Sequence, residues 1–324
     1  MAKYNHILVL IGFYFVYLLT GFNTVSKRNS MVSDSLKDQC IQKLREVMNT
    51  QSKFVKVHAA EYLLWSGHPE GVRETFMKEE QQFDSAKPYR IGIWRVLAQA
   101  DSNAKEKAAW IGKIMNVFAD THATDRINAA ETLAKLGISP SAQYPDITRR
   151  AIESSGTSLS LYSLWAASVS GKDSLNECRH KVLDVIQSNQ SDTLQTTLAA
   201  YILRHIGGIN AEEWKMLVNH ALSEPVNSSP KVYLLSAAFM LTPKDSIQSK
   251  IYNQIKKELL TEQHSPKAGI RTEMAAALAE KGNENDLPVL ISMLDNKNPL
   301  PAEADNADVS AAAAYAILEI GKRN

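Results

Sequence analysis

The stretch DRINAAETLAKLG, residues 125–137, is one copy of a motif that recurs along the chain and decides the fold. The successive copies end 34, 36, 34, 36, 35, 40 and 39 residues apart. The terminal positions are Gly67, Asp101, Gly137, Gly171, Gly207, Thr242, Gly282 and Gly321. A near-constant period of this size predicts an array of stacked units, each of which buries one face against its neighbours.

Each copy of the motif predicts a helix. Counted backward from the terminal position, positions −8, −7 and −4 are small or aliphatic, as in Ala129, Ala130 and Leu133. This spacing puts them on one helix face, and a closing glycine suits a left-handed helix end. A second helical pattern precedes most copies, at residues 70–80, 105–118, 175–187, 212–222 and 246–260. The unit is therefore helix–turn–helix, and we expect an all-α fold.

The motif resembles the HEAT family of helical repeats. The resemblance rests on the alanine-rich second helix and on a basic column at position −11: Lys56, Arg90, Arg126, Lys231 and Arg271. Asp84 and Asp120 match the acidic partner of that pattern in two copies. The resemblance covers residues 36–324. It implies a right-handed α-solenoid of about eight repeats, with a polar ladder between repeats and second helices along a concave surface.

The amino-terminus carries a separate signal. Residues 7–22 are apolar and uncharged, and Lys3 precedes them. Residues 1–28 therefore predict a cleaved signal peptide or an uncleaved membrane anchor, and 29–35 a linker. The alternative is a buried first helix. On the targeting interpretation, the protein is exported to the periplasm or the exterior, and an uncleaved anchor adds the membrane as a partner.

Composition excludes some classes of function. The chain is 44% hydrophobic and 22% charged, as in folded soluble proteins, and its net charge of +1 gives no general attraction to nucleic acid. None of the familiar catalytic or phosphate-binding motifs is present. We therefore expect a non-enzymatic protein without a cofactor. Cys40 and Cys178 lie nearly four repeats apart, too far for a disulfide.

Positions −9, −6 and −2 share the helix face opposite the alanines, and aromatic residues are concentrated there in the middle copies. If this face is the concave surface, it predicts a binding site for a protein or peptide. The alternative is that the rings pack as core. The candidate binding residues are Trp65, Arg95, Tyr162, Trp165, Tyr201, His205 and Tyr233. The same reasoning predicts that Leu133→Ala costs about 2–5 kcal/mol and that Glu131→Ala costs under about 1 kcal/mol.

Two further hypotheses stay open at this point. His58, Glu61 and His68 lie close in sequence and could form an acid–base or metal site, although the same spacing also suits ordinary helix-surface pairs. The chain also resembles HEAT-like segments of exported bacterial enzymes or transporters, which would make it an accessory part of a larger system. Near the last copy, Pro299 and Pro301 prevent a continuous helix over residues 295–310.

Overall fold

The computed structural model describes residues 32–188, 190–226 and 228–323. These residues form sixteen α-helices and no strand, so the predicted all-α class is confirmed. The helices are α1 (Asp34–Thr50), α2 (Lys53–Ser66), α3 (Val72–Phe83), α4 (Tyr89–Ala100), α5 (Ala104–Ala119), α6 (Arg126–Lys135), α7 (Pro145–Ile152), α8 (Thr157–Ser168), α9 (Lys172–Gln187), α10 (Thr193–Ile206), α11 (Ala211–Ser223), α12 (Ser229–Met240), α13 (Lys250–Thr261), α14 (Ala268–Lys281), α15 (Leu287–Leu294) and α16 (Glu303–Lys322).

The helices pack in series as eight pairs. Each even-numbered helix corresponds to one copy of the sequence motif, and each odd-numbered helix precedes it. The even-numbered helices are the inner layer: nine of the twelve residues of α4 are buried, against two of the twelve in α3. Buried alanines such as Ala129 and Ala130 let neighbouring inner helices approach closely. The predicted number of helix pairs is therefore confirmed.

The first and last helix pairs are in contact. Each inner helix packs against the next one along the chain, and α16 packs against both α1 and α2. At this seam Tyr62 stacks on Tyr315 with ring centroids 4.8 Å apart. His58 Nδ1 lies 2.9 Å from Asp308 Oδ1. The eight inner helices therefore surround a common axis, and the face expected to be concave lies inside a closed ring.

The predicted polar ladder is present with different partners. Arg90 donates to Asp125 of the next pair at 2.7 Å, and not to Asp84, which is exposed at the end of α3. Asp125 is buried, so its carboxylate needs a charged partner more than Asp84 does. Arg126 donates to the carbonyl oxygen of Phe118 at 2.8 Å instead of forming the expected pair with Asp120. Both predicted acidic partners were therefore wrong.

The closing glycines have more than one role. Gly67 and Gly137 have φ of 89° and 68°, as predicted for left-handed helix ends. Gly321 instead lies inside α16, where an added Cβ would come within 3.3 Å of Val32. Here glycine permits the close approach of the first described residue to the last helix.

Three remaining predictions have mixed outcomes. Cys40 and Cys178 are buried free thiols, as expected. Residues 295–302 are not helical, and α16 begins only at Glu303. The predicted signal peptide or anchor at 1–28 lies outside the described residues, as does the linker up to residue 31. None of the described helices combines the length and apolarity needed to cross a bilayer.

Candidate functional site

A cavity of about 720 Å³ lies where the carboxyl ends of the inner helices converge; we call it the axial pocket. Seven of the eight inner helices line it, α12 being the exception. Its volume is in the range of small-molecule binding sites. The closed ring creates this pocket, because residues from α2 and α16 complete a wall that α8 and α10 begin.

One wall includes part of an aromatic cluster on α8, α10 and α12, which we call the α8–α12 cluster; its α12 member does not line the pocket. Trp165 stacks on His205 with centroids 5.0 Å apart, and Tyr201 meets both rings edge-on at 5.9 and 4.8 Å. Tyr162 lies 6.5 Å from Trp165, and Tyr233 lies 6.0 Å from Tyr201. The structure thus brings five of the seven predicted residues into one contiguous group. Trp165, Tyr201 and His205 line the axial pocket.

The opposite wall is the seam cluster of Tyr62, Trp65 and Tyr315. Trp65 lies 5.8 Å from each of the two tyrosine rings. Its indole Nε1 donates to Gln99 Oε1 at 2.8 Å, which fixes the ring, while 47% of the residue remains exposed. Trp65 was a predicted binding residue. Tyr62 and Tyr315 were not, and both line the pocket.

The seventh predicted residue, Arg95, lies at the floor of the pocket in a buried ion pair. Its guanidinium donates to both oxygens of Glu61, at 2.7 and 2.6 Å. Gln99 donates a third bond to Glu61 at 2.7 Å. Burial opposes ionisation of Glu61, but the charge and hydrogen bonds of Arg95 hold the pKa of this carboxyl below its usual value. Arg95 was predicted to be exposed; it is only 5% exposed, so its role is structural.

Two more ion pairs continue the floor. Lys135 Nζ lies 2.7 Å from Glu131, and Arg204 Nε lies 3.0 Å from Glu273. Both cations also lie over the ring of Tyr201, at 5.5 and 4.8 Å from its centroid. Burial disfavours the charged form of Glu131, yet Lys135 and then Arg95 lower the pKa of its carboxyl. The expected cost of Glu131→Ala, under about 1 kcal/mol, is therefore too small, because Lys135 would lose its partner.

Nearby charges shift the pKa values of groups in both clusters. Burial, followed by the charges of Arg204 and Lys135, holds the pKa of His205 well below its usual value, so its imidazole is neutral at pH 7. At the seam, burial and then the carboxylates of Glu319 and Glu280 raise the pKa of Tyr315. The α8–α12 cluster therefore has neighbours of both signs, because Glu131 and Glu273 lie beside the same rings as Lys135 and Arg204, whereas the charges that act on Tyr315 are mainly carboxylates.

The structure does not bring His58, Glu61 and His68 together. Glu61 lines the axial pocket, whereas His58 lines a separate cavity of about 270 Å³ that also contains Tyr162 and Tyr233. His68 lines neither cavity. Within the described part of the chain, no three His, Cys, Asp or Glu residues are grouped so that they could hold a metal ion.

Several lining residues escaped the sequence reasoning. Gln99, Lys135, Glu280 and Tyr315 occupy positions −6 and −2, so the stripe contained them without marking them as site residues, and Glu61 at position −6 was considered only for an acid–base or metal site. Tyr62 and Arg204 lie at positions −5 and −3, outside the stripe, and no periodic signal identifies them. Inside a closed ring, a wider arc of each inner helix faces the axis than in an open array.

Comparison of the sequence with family models and with curated proteins identifies no relative. No family model matches the sequence, and no curated protein is significantly similar to it. The interpretation of the axial pocket therefore rests on the residues that line it.

Proposed function

We propose that the protein is a binding module that holds its ligand in the axial pocket and performs no chemistry on it. The observation that carries this proposal is the pocket itself: about 720 Å³, with exposed Trp65 on one wall and Trp165 and His205 on the other. Aromatic side chains bury large areas at little cost in conformational entropy, and they dominate the energetics of binding sites.

The arrangement of charges supports binding over catalysis. The pairs Glu61–Arg95, Glu131–Lys135 and Glu273–Arg204 give each floor charge a partner within the protein. A general acid needs a raised pKa, whereas the pKa values of Glu61 and Glu131 are both lowered. Burial does raise the pKa of Glu273, but this carboxyl lines the smaller cavity of about 270 Å³ and not the axial pocket. The floor is therefore a rigid base that positions the aromatic walls.

The proposal extends to architecture and location. The eight helix pairs and the basic column support a HEAT-like, right-handed solenoid whose ends meet. The apolar run at 7–22 supports export to the periplasm or the exterior, with membrane attachment if it stays uncleaved. The partner is a peptide or protein segment, with no nucleic acid. The pocket admits a chain end or a few side chains, not a broad protein surface. An accessory role in an exported enzyme or transporter system is compatible with this.

Ligand-observed NMR tests the proposal. A library of short peptides and polar aromatic fragments is screened against the purified full chain by saturation transfer. We expect hits whose signals are lost in Trp65→Ala, because this variant removes the most exposed ring of the pocket. Ile251→Ala, an exposed residue of α13 outside the pocket, serves as the matched control and keeps them. Hits that bind Trp65→Ala as well as the wild type would place the site elsewhere.

A further inference from the structure

One carboxylate of the axial pocket accepts no hydrogen bond from the described part of the chain. Glu280, near the end of α14, is exposed at the pocket wall. Its charge acts on Arg323, but that guanidinium donates to the carbonyl oxygens of Leu278 and Gly282, at 3.3 and 3.0 Å. An ionised carboxylate has about four acceptor positions, so Glu280 can accept hydrogen bonds from a ligand.

The other charged side chains that line the pocket are paired within the protein. The pairs are Glu61–Arg95, Glu131–Lys135 and Glu273–Arg204. His205 is neutral at pH 7, and Lys322 at the seam is paired with Glu319 at 2.6 Å. An anionic ligand would therefore find no free cation in the pocket and would be repelled by Glu280. This carboxylate is left as the group that selects the charge of a ligand.

The seam cluster lies near the same carboxylate. The charge of Glu280 acts on Tyr315, whose ring lies 5.8 Å from that of Trp65, and 47% of Trp65 is exposed. The face of an aromatic ring attracts a cation, most strongly in tryptophan, and a carboxylate accepts charge-assisted hydrogen bonds from ammonium N–H groups. The seam end of the pocket therefore favours a cationic group over a neutral or anionic one.

The rest of the lining suits an apolar stem. Leu136, Val169, Leu175 and Ile206 line the pocket together with the ring of Trp165. An inorganic cation would leave this surface in contact with water, whereas an organic cation would cover it. The volume of about 720 Å³ has room for such a stem.

We infer that the axial pocket binds an ammonium group carried on an apolar or aromatic stem, with the ammonium beside Glu280 and the seam cluster and the stem against the apolar lining. This inference rests on the proposed binding function and specifies the chemistry of its ligand. Two sources carry this chemistry: a free organic amine, and the amino terminus of a peptide that begins with an apolar residue.

Three probes that share a phenylalkyl body and differ in charge test the inference. They are 2-phenylethylamine, 2-phenylethanol and 3-phenylpropionate, titrated into the purified full chain by isothermal calorimetry at pH 7. We expect 2-phenylethylamine to bind at least tenfold more tightly than either of the others, because it alone carries a cation for Glu280.

Two variants separate the contribution of the carboxylate from that of the ring. Glu280→Gln should weaken 2-phenylethylamine about tenfold and leave 2-phenylethanol unchanged, since only the charge is removed. Trp65→Ala should weaken both probes. Glu74→Gln removes an exposed carboxylate of the outer helix α3 and is the matched control, which should change neither. Thermal melts show whether each variant is folded.

A peptide pair distinguishes the two sources of the ammonium group. Phenylalanyl-glycinamide has a free amino terminus and no carboxylate, and its N-acetyl form has no charge. Binding of phenylalanyl-glycinamide at least as tight as that of 2-phenylethylamine would identify a peptide amino terminus, and weaker binding a free amine. If the N-acetyl form binds as tightly as phenylalanyl-glycinamide, the cation has no role and the inference is wrong.

The outcomes separate this inference from the proposed function. Equal binding of the three phenylalkyl probes, or an unchanged affinity of 2-phenylethylamine in Glu280→Gln, would overturn the ammonium site and leave a binding pocket. The same holds if no probe binds but the fragment screen finds ligands that need Trp65. Absence of any Trp65-dependent ligand in either experiment would overturn both.

Discussion

The α8–α12 cluster and the seam cluster are built from the same helix positions but differ in environment. Trp165 and Tyr315 both occupy position −6, while His205 and Trp65 both occupy position −2. At position −6, Trp165 is 4% exposed because consecutive helices of the chain pack around it, whereas Tyr315 at the junction of the first and last pairs is half-buried. At position −2, both His205 and Trp65 are exposed. The comparison teaches that the position in the repeat selects which residues face the axis, and ring closure decides which of them a ligand can reach.

The largest expected change in the free energy of unfolding concerns the buried ion pair of Arg95 and Glu61. Arg95→Met should lower the free energy of unfolding by about 3–5 kcal/mol, because it leaves Glu61 buried and without its cation. The double variant Glu61→Leu, Arg95→Met should recover most of that loss. Urea unfolding measures both. If the double variant is as unstable as the single one, the pair is not the cause.

The next effect compares the two tryptophans directly. Trp165→Ala should cost about 3 kcal/mol or more, as expected for a packed ring, and Trp65→Ala under about 1 kcal/mol. Chemical denaturation of the two variants in parallel provides the measurement. Similar losses at both sites would mean that the seam is packed as tightly as the α8–α12 cluster.

A smaller expected effect is the pH dependence of the free energy of unfolding that arises from His205 in the α8–α12 cluster. His205 has a lowered pKa in the folded protein, and an unfolded histidine titrates near pH 6.5. Below about pH 6.5 the unfolded chain therefore binds a proton that the folded chain does not. Because part of the His205 ring is exposed to solvent, water offsets some of this effect, and stability should fall with decreasing pH by well under about 1.4 kcal/mol per pH unit from this group.

His205→Gln should reduce that fall between pH 7.5 and 5.5, as measured by urea unfolding at several pH values. Glu61 and Glu131, whose pKa values are also lowered, lose their contribution only near and below about pH 4.5, outside this window. The exposed residue His122 provides the control substitution, His122→Gln. An unchanged pH dependence in His205→Gln would contradict the lowered pKa of this imidazole.

The smallest expected effect is on the melting temperature and concerns the seam and the amino-terminus. Deletion of residues 1–28 should leave the melting temperature unchanged, because a targeting segment is not part of the folded helices, whereas Val32 is buried beside Gly321 at the seam. Val32→Asp should lower it, because it places a charge in that contact. A deletion variant that fails to fold would favour the alternative of a buried first helix.

The sequence predicted the units of the fold but not how they close. Alanine spacing and the recurring terminal positions locate all eight inner helices, because each helix is determined locally by its buried face. Closure depends on small rotations between successive pairs, which accumulate over eight units and leave no periodic signal. The contact of Tyr62 with Tyr315, 253 residues apart, could not be inferred from spacing.

The candidate site, like the fold, was predicted only in part from the sequence. The aromatic positions in the middle copies predicted a cluster, and five of them form one. Burial of Trp165 agrees with the alternative that the rings pack as core, whereas burial of Arg95 was not anticipated, because its exposure was assigned from an open concave surface. Lys135 of α6 and Glu280 of α14 belong to distant repeats, and only the closed ring brings them to one pocket.

The most direct test of the account is the distance between the first and last helix pairs in solution. Spin labels at Ser52→Cys and Ala304→Cys occupy exposed positions near the starts of α2 and α16. Burial raises the pKa of Cys40 to about 12 and that of Cys178 to about 11, so the native thiols should not compete for label.

Pulsed electron–electron double resonance then measures the distance between the two spin labels in the full chain. The contact of His58 with Asp308 predicts a single narrow distribution within about 30 Å, given the helical rise of about 1.5 Å per residue. An open array of eight pairs spaced about 8–10 Å apart would put the labels about 60–70 Å apart. A distribution centred there would contradict the closed ring and the axial pocket with it.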